Sequence, residues 1–134
     1  MITWSTVRHF AEAEFCCACG ACPESTHPPM DQDLVDRLDD IRHVLGTRIR
    51  VTSGYRCPAH NAAIGGDPNS AHLTGQAVDI AWEGPGTIGG RRRMLLGLAL
   101  SVPSGIDRLE IAPRHLHLEH RPERPAAVWV GTSR

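Results

Sequence analysis

Hydrophobic and polar positions follow two rhythms along this chain, and the rhythms divide it into elements. In "PPMDQDLVDRLDDIRHVLG" the residues Leu34, Leu38, Ile41 and Leu45 recur at helical spacing, the stripe by which a surface helix reaches a core. Asp31 or Asp33 can cap its start, its acidic residues lie early, and Gly46 ends it. "RIRVTSG" switches to a period of two, with Ile49 and Val51 between polar neighbours, and predicts a strand of about five residues. A second strand is predicted at "QAVDIAW". "GPGTIGG" reads as a linker into "RRRMLLGLALS", an apolar helix of roughly three turns. Three short strands follow at "GIDRLEIA", "HLHLEH" and "AAVWVG".

Residues 53–75 are rich in Gly, Pro and Asn and show little periodicity. A loop of that length inside a compact domain is usually functional or disordered. The first 29 residues are irregular, apart from a short helix around residues 6–14. No repeat and no low-complexity tract interrupts the order. Helices dominate the first half and strands the second, which argues for an α+β fold with a small antiparallel sheet.

A chain of 134 residues fits one domain, and folding at that size buries roughly 70% of the unfolded surface. The single domain spans residues 1–134, with a cysteine-rich N-terminal segment over 1–30 and a C-terminal segment over 121–134. A formal charge of -1 gives no pull toward nucleic acid or anionic membrane. No window approaches the ~18 consecutive apolar residues of a membrane span. The N-terminus lacks the basic start and apolar stretch of a secretory signal, so synthesis in the cytoplasm is expected; a monomer is the expected state.

The candidate chemistry changes this picture most. In "HLHLEH" alternation puts His115, His117 and Glu119 on one face and Leu116 and Leu118 on the other. The leucines go to the core and the histidines are held together on the open face. In the preceding strand Leu109 and Ile111 face the core, leaving Arg108 and Glu110 opposite. If Pro113 and Arg114 form a two-residue turn, Glu110 stands directly beside His117, with Cβ atoms about 5 Å apart. Pro113 does not suit the positive φ of a type I′ turn, so the register depends on the strands themselves. Within "NSAHLTGQAVDI", His72 and Asp79 form an H-x6-D pair, a weak signal alone. A catalytic zinc site uses three protein ligands and leaves a fourth position for water. His72, Asp79 and His117 supply such a set.

"SGYRCPAHNAAIGG", "NSAHLTGQAVDI" and "HLHLEH" together resemble, in order and spacing, the zinc D-alanyl-D-alanine carboxypeptidases and related phage peptidoglycan endopeptidases. That group shares its fold with the hedgehog signalling domain. The resemblance runs over about residues 10–119 and implies helices packed on one side of the sheet. It implies a Zn2+ cofactor held by His72, Asp79 and His117, and a peptidoglycan peptide as substrate. Arg56 matches an arginine that holds the substrate carbonyl or carboxylate, and His115 assists near the metal. Several relatives carry an acidic residue three positions before the last ligand, where this chain has Arg114. Glu110, seven positions before His117, is therefore the expected general base, with Glu119 as the fallback. An enzyme of this kind, made in the cytoplasm and acting at the cell wall after release, is the favoured reading. A non-catalytic zinc-containing binding module of the same fold is the alternative. A third reading makes the protein a cysteine-cluster zinc protein acting through interactions, with the His/Asp set accidental.

Five cysteines are an odd number, so at least one is outside any intramolecular disulfide. Cys16, Cys17, Cys19, Cys22 and Cys57 leave three readings open: a structural zinc on four thiolates, one or two disulfides, or unpaired thiols. Ser70, two before His72, is either a support for the ligand loop or a plain loop serine. Gly65, Gly66 and Gly75 are expected in turns with unusual φ. His43 and His60 read as surface residues, and Arg91, Arg92 and Arg93 as a solvated helix face. Trp82 and Trp129 read as packing residues, Trp82 also as a candidate wall of a substrate cleft.

Overall fold

The computed structural model describes residues 2–82, 86–101 and 105–131. The long helix α1 covers Gln32–Leu45, capped by the Asp31 side chain, which accepts from the Leu34 N–H, and closed by Gly46 with φ of 74°. Strand β1 (Ile49–Ser53) leads to a short helix α2 (Pro58–Ala63), then to β2 (Ala77–Trp82) and α3 (Ile88–Ser101). Strands β3 (Arg108–Ile111), β4 (Leu116–Glu119) and β5 (Ala127–Val130) complete the fold.

The strands form one sheet in the order β1-β2-β4-β3-β5. Three pairs are antiparallel, as the α+β reading expects, and the edge pair β3–β5 is parallel, which makes the sheet mixed. The chain crosses from β4 back past β3 before β5 begins, so β5 enters in the same direction as β3. In the hairpin, Glu110 pairs with His117 and Ile111 with Leu116, the register predicted from alternation. Among the described residues no non-glycine residue has a positive φ, so the turn at Pro113 and Arg114 is not type I′. The ladder of Leu109 against Leu118 decides the register instead, because a one-residue slip would turn every leucine to the wrong face.

The core lies between α1, α3 and the sheet. Leu34, Leu38 and Ile41 of α1 meet Phe15, Ile49, Ile80, Leu109, Leu116 and Leu118. Each fully buried leucine contributes about 1.5–3 kcal/mol relative to exposure. Among the described residues no helix is long and apolar enough to cross a membrane.

Several local expectations are corrected. Residues 6–14 do not form one helix but flank two 3-10 turns, Trp4–Thr6 and Glu12–Phe15. The aperiodic segment after β1 is not a bare loop: it holds α2 and a 3-10 turn at Ala71–Thr74. Both are too short for a hydrophobic period to emerge. Helix α3 starts three residues before the arginine run, inside the expected linker, of which residues 84 and 85 lie outside the described residues. Gly65 and Gly75 do have positive φ, but Gly66 does not. Gly66 is instead pressed against the Asn61 side chain, where a Cβ would stand 2.8 Å from Asn61 Cγ.

Candidate metal centre

Strand pairing lines up a row of directly opposed residues across all five strands. Ser53 pairs with Asp79, Asp79 with His117, His117 with Glu110, and Glu110 with Trp129. Side chains opposed in this way share a face. A parallel row one pleat along carries Ala77, Glu119, Arg108 and Ala127. Asp79, His117, Glu110 and Trp129 of the first row form the floor of a cleft of about 600 Å³ whose walls include Arg56, His72 and Gly66.

His72 reaches this floor from the 3-10 turn that precedes β2. Ser70 caps that turn, its Oγ accepting the His72 N–H at 3.2 Å, and Gly75 closes it at φ of 70°. Gly75 also packs so closely on Pro29 that a Cβ would strike the Pro29 carbonyl. The loop serine is thus a support for the turn that carries His72.

Three imidazoles converge on a single carboxylate oxygen. Asp79 Oδ1 lies 2.8 Å from His117 Nδ1, 3.2 Å from His72 Nε2 and 3.6 Å from His115 Nε2. His72 and Asp79 are buried, and the His117 side chain is 12% exposed. The histidines were expected on an open face, yet His115 and Glu119 are each only 7% exposed. The flanking loops and Trp129 cover the row and turn an open sheet face into a cleft.

The outer partners of each ring determine what it offers. His72 Nδ1 lies 2.7 Å from the Gly54 carbonyl; a carbonyl only accepts, so Nδ1 carries the proton. Gly54 can stand there because it has no side chain, since a Cβ would lie 2.6 Å from Phe15 Cα. Burial pushes the His72 pKa down, so the ring is neutral and its Nε2 presents a lone pair. That lone pair faces the Asp79 carboxylate, two acceptors 3.2 Å apart. Burial opposes charge on Asp79, but the His117 ring overrides it and holds the carboxyl well below the usual carboxylate range. His117 lies between two carboxylates, with Nε2 2.8 Å from Glu119 Oε1. Burial would lower its pKa, but Asp79 and Glu119 together raise it to about 9. Glu119 is held in turn by Arg108 Nε at 2.9 Å.

This donor set fits a divalent cation. Two acceptors facing each other across 3.2 Å need positive charge between them, and a proton on His117 meets that need only in part. Two imidazoles and one carboxylate are ligands zinc accepts readily. The Nε2 of His115 is buried without a hydrogen-bond partner among the described residues, 3.6 Å from the same Asp79 oxygen.

Arg56 closes one side. Its side chain is 12% exposed and is fixed by Ser53 Oγ at 3.1 Å, Asn61 Oδ1 at 3.2 Å and Asp79 Oδ2 at 3.4 Å. Asn61, buried in α2, is tied by its own amide to the Asp67 carbonyl. Sequence reasoning did not single out Asn61 or Gly54, and gave Arg108 only a place on the polar face of its strand. Its one usable signal was Pro58, a residue suited to the first turn of a helix that would place Asn61 near Arg56. Trp129 is likewise more than packing. Its ring stacks edge-on to His117 at 6.4 Å, with the Arg108 guanidinium 5.2 Å from its centroid.

Glu110 is buried against Gly131 and lines the cleft beside His117. Glu119, the fallback base, is committed to His117 and Arg108 and orients the ring instead. His43 is exposed and His60 half-buried, both away from the cleft lining. The side chains of Trp82, Arg92 and Arg93 lie outside the described residues. Of the cysteines, Cys17, Cys19, Cys22 and Cys57 come together and Cys16 does not.

An α+β domain that gathers two imidazoles and a carboxylate in one cleft has the build of a metal-dependent hydrolase. Residues 8–95 match the peptidase M15 family, and the chain belongs to that family, whose members are metallopeptidases and in general depend on zinc. The matched residues contain Arg56, His72 and Asp79 and end before β3. His117 and Glu110 join the site through the sheet register, and His115 approaches Asp79 from just before β4. No match is found among curated proteins.

Proposed function

We propose that this protein is a zinc peptidase that hydrolyses peptide bonds in peptidoglycan stem peptides, as a D,D- or L,D-carboxypeptidase or endopeptidase, and that it acts at the cell wall. One observation carries the reading. Asp79, His117 and Glu110 stand in a single row, joined by His72 and Arg56 in one cleft, in a chain of the peptidase M15 family.

His72 through Nε2, Asp79 and His117 through Nδ1 are the residues that would hold the ion. A bound zinc supplies Lewis-acid polarisation of the scissile carbonyl and makes water acidic enough to attack near neutral pH. The chain's own groups do the rest. Glu110 takes the proton of the attacking water and delivers it to the leaving amine, so that the amine departs neutral. Arg56 directs its guanidinium N–H groups at the substrate oxygen on which negative charge grows, and its anchors at Ser53 and Asn61 mean that it need not reorganise. His115 sets a ring nitrogen 3.6 Å from Asp79 Oδ1. Trp129 walls the cleft beside Glu110 and limits water there.

The test is incubation of a defined muropeptide with the zinc-loaded protein, followed by mass analysis of the products. Release of a terminal residue, or scission of a cross-link, is expected, abolished by chelation and restored by zinc. A zinc-loaded, folded protein that binds the muropeptide but leaves it intact would make the domain a binding module and overturn the proposal.

A further inference from the structure

Outside the cleft, the N-terminal segment meets the start of α2 through sulfur. The Sγ atoms of Cys17, Cys19, Cys22 and Cys57 all lie within 4.8 Å of one another, with Cys19 and Cys57 3.9 Å apart. A disulfide requires sulfurs about 2.05 Å apart. Four sulfurs each about 2.3 Å from a tetrahedral zinc stand roughly 3.8 Å from one another. The Cys19–Cys57 separation matches one edge of that tetrahedron, and no pair among the four sulfurs exceeds 4.8 Å. All five cysteines are free, yet only four gather. Cys16, the immediate neighbour of Cys17, turns its Sγ to the Glu12 carbonyl at 3.7 Å.

A second observation is independent of the sulfur distances. Three backbone N–H groups are aimed at three different sulfurs: Cys57 at Cys17, His60 at Cys57 and Ala21 at Cys19, over 3.4, 3.4 and 3.5 Å. Such donors favour the anionic thiolate over the thiol, and thiolates are the form that binds metal. Four thiolates, three of them facing fixed N–H donors, describe a closed site for a borderline-soft cation.

We propose that Cys17, Cys19, Cys22 and Cys57 bind a second zinc ion, as a structural site separate from the cleft. Binding exchanges the thiol protons for the cation, with no change of oxidation state. The site has a mechanical role. The described residues before α1 contain only 3-10 turns, and Cys57 follows Arg56 directly while capping α2. The ion would pin the irregular N-terminal segment to the turn that presents Arg56 and Asn61 to the cleft.

The experiment counts metal. Protein prepared under reducing conditions, loaded with zinc and desalted, is expected to hold about two ions per chain. The double variant Cys19→Ser, Cys22→Ser should hold one, His72→Ala should hold the other, and Cys16→Ser should keep both. Cobalt substitution of the unmutated chain guards against a cysteine variant that fails to fold. Intense near-ultraviolet thiolate-to-cobalt absorption is expected there and in His72→Ala, because a His/Asp/His centre cannot produce it. Lack of that absorption, zinc that vanishes entirely with His72→Ala, or a native mass short by two hydrogens per bridge would each overturn the second site. None of these results bears on whether the cleft hydrolyses peptides.

Discussion

Glu119 holds the far edge of the His117 ring, its Oε1 2.8 Å from Nε2. The Nδ1 edge is thereby turned to Asp79, also at 2.8 Å. A carboxylate behind an imidazole fixes which nitrogen is free for a metal and raises its basicity. Replacing Glu119 by Ala is therefore expected to weaken zinc binding about 10–100-fold, measured by competition with a chromogenic chelator. Unchanged affinity would show that the ring is held by something else.

Arg56 is expected to act on the reaction and not on the metal. Its guanidinium reaches Asp79 at only 3.4 Å and spends its better contacts on Ser53 and Asn61. Arg56→Ala should lower kcat by about 10²–10³ with zinc content unchanged. Arg56→Lys should rescue little, because a point charge cannot span the same fork of partners. Steady-state kinetics beside elemental analysis decide the matter, and a variant that loses its zinc would move Arg56 into the metal-holding set.

The part of this site that was legible in the sequence is the part governed by periodicity. Leu116 and Leu118 alternate with His115, His117 and Glu119, so one burial decision sets both faces and, through the hairpin, seats Glu110 beside His117. The H-x6-D pair was legible in spacing, and the alternation of "HLHLEH" offered His117 as its partner. What was not legible depends on which strand meets which. "AAVWVG" alternates like any edge strand, and nothing local says that it pairs parallel to β3 and brings Trp129 next to Glu110. Helix α2 has six residues, fewer than two turns, so Asn61 carried no periodic signal. The cysteines hid their grouping differently: Cys57 lies 35 positions beyond Cys22, and only the fold closes that distance.

Glu110 and Gly131 are in contact in a way that allows the base to be tested without removing it. A Cβ on Gly131 would collide with the Glu110 carboxylate and stand 2.8 Å from its Cγ. Glu110→Gln should lower kcat by about 10²–10⁴ while leaving zinc bound. Gly131→Ala keeps the carboxyl but displaces it, and a smaller loss of kcat is expected, again at full zinc content. If both variants retain wild-type turnover of a muropeptide, Glu110 is not the proton carrier.

Asp39 provides a test of stability far from the cleft. It is 3% exposed on α1 and accepts the N–H groups of Arg8 and His9 at 3.1 and 2.9 Å, together with Arg8 Nε at 3.0 Å. Burial alone would push its pKa up, but the Arg8 and His9 donors outweigh burial and hold it below the usual value. The unfolded chain thus binds this proton more readily than the folded one. The stabilisation is complete above the unfolded carboxylate value of about 3.9 and disappears as pH falls through the lower folded value. Asp39→Asn is expected to cost about 1–3 kcal/mol at pH near 7, because it leaves N–H groups of Arg8 and His9 facing an amide. Urea unfolding of the zinc-free protein, repeated at strongly acidic pH, should show the gap between wild type and variant narrowing. A gap that stays constant would mean that Asp39 contributes by packing and not by charge.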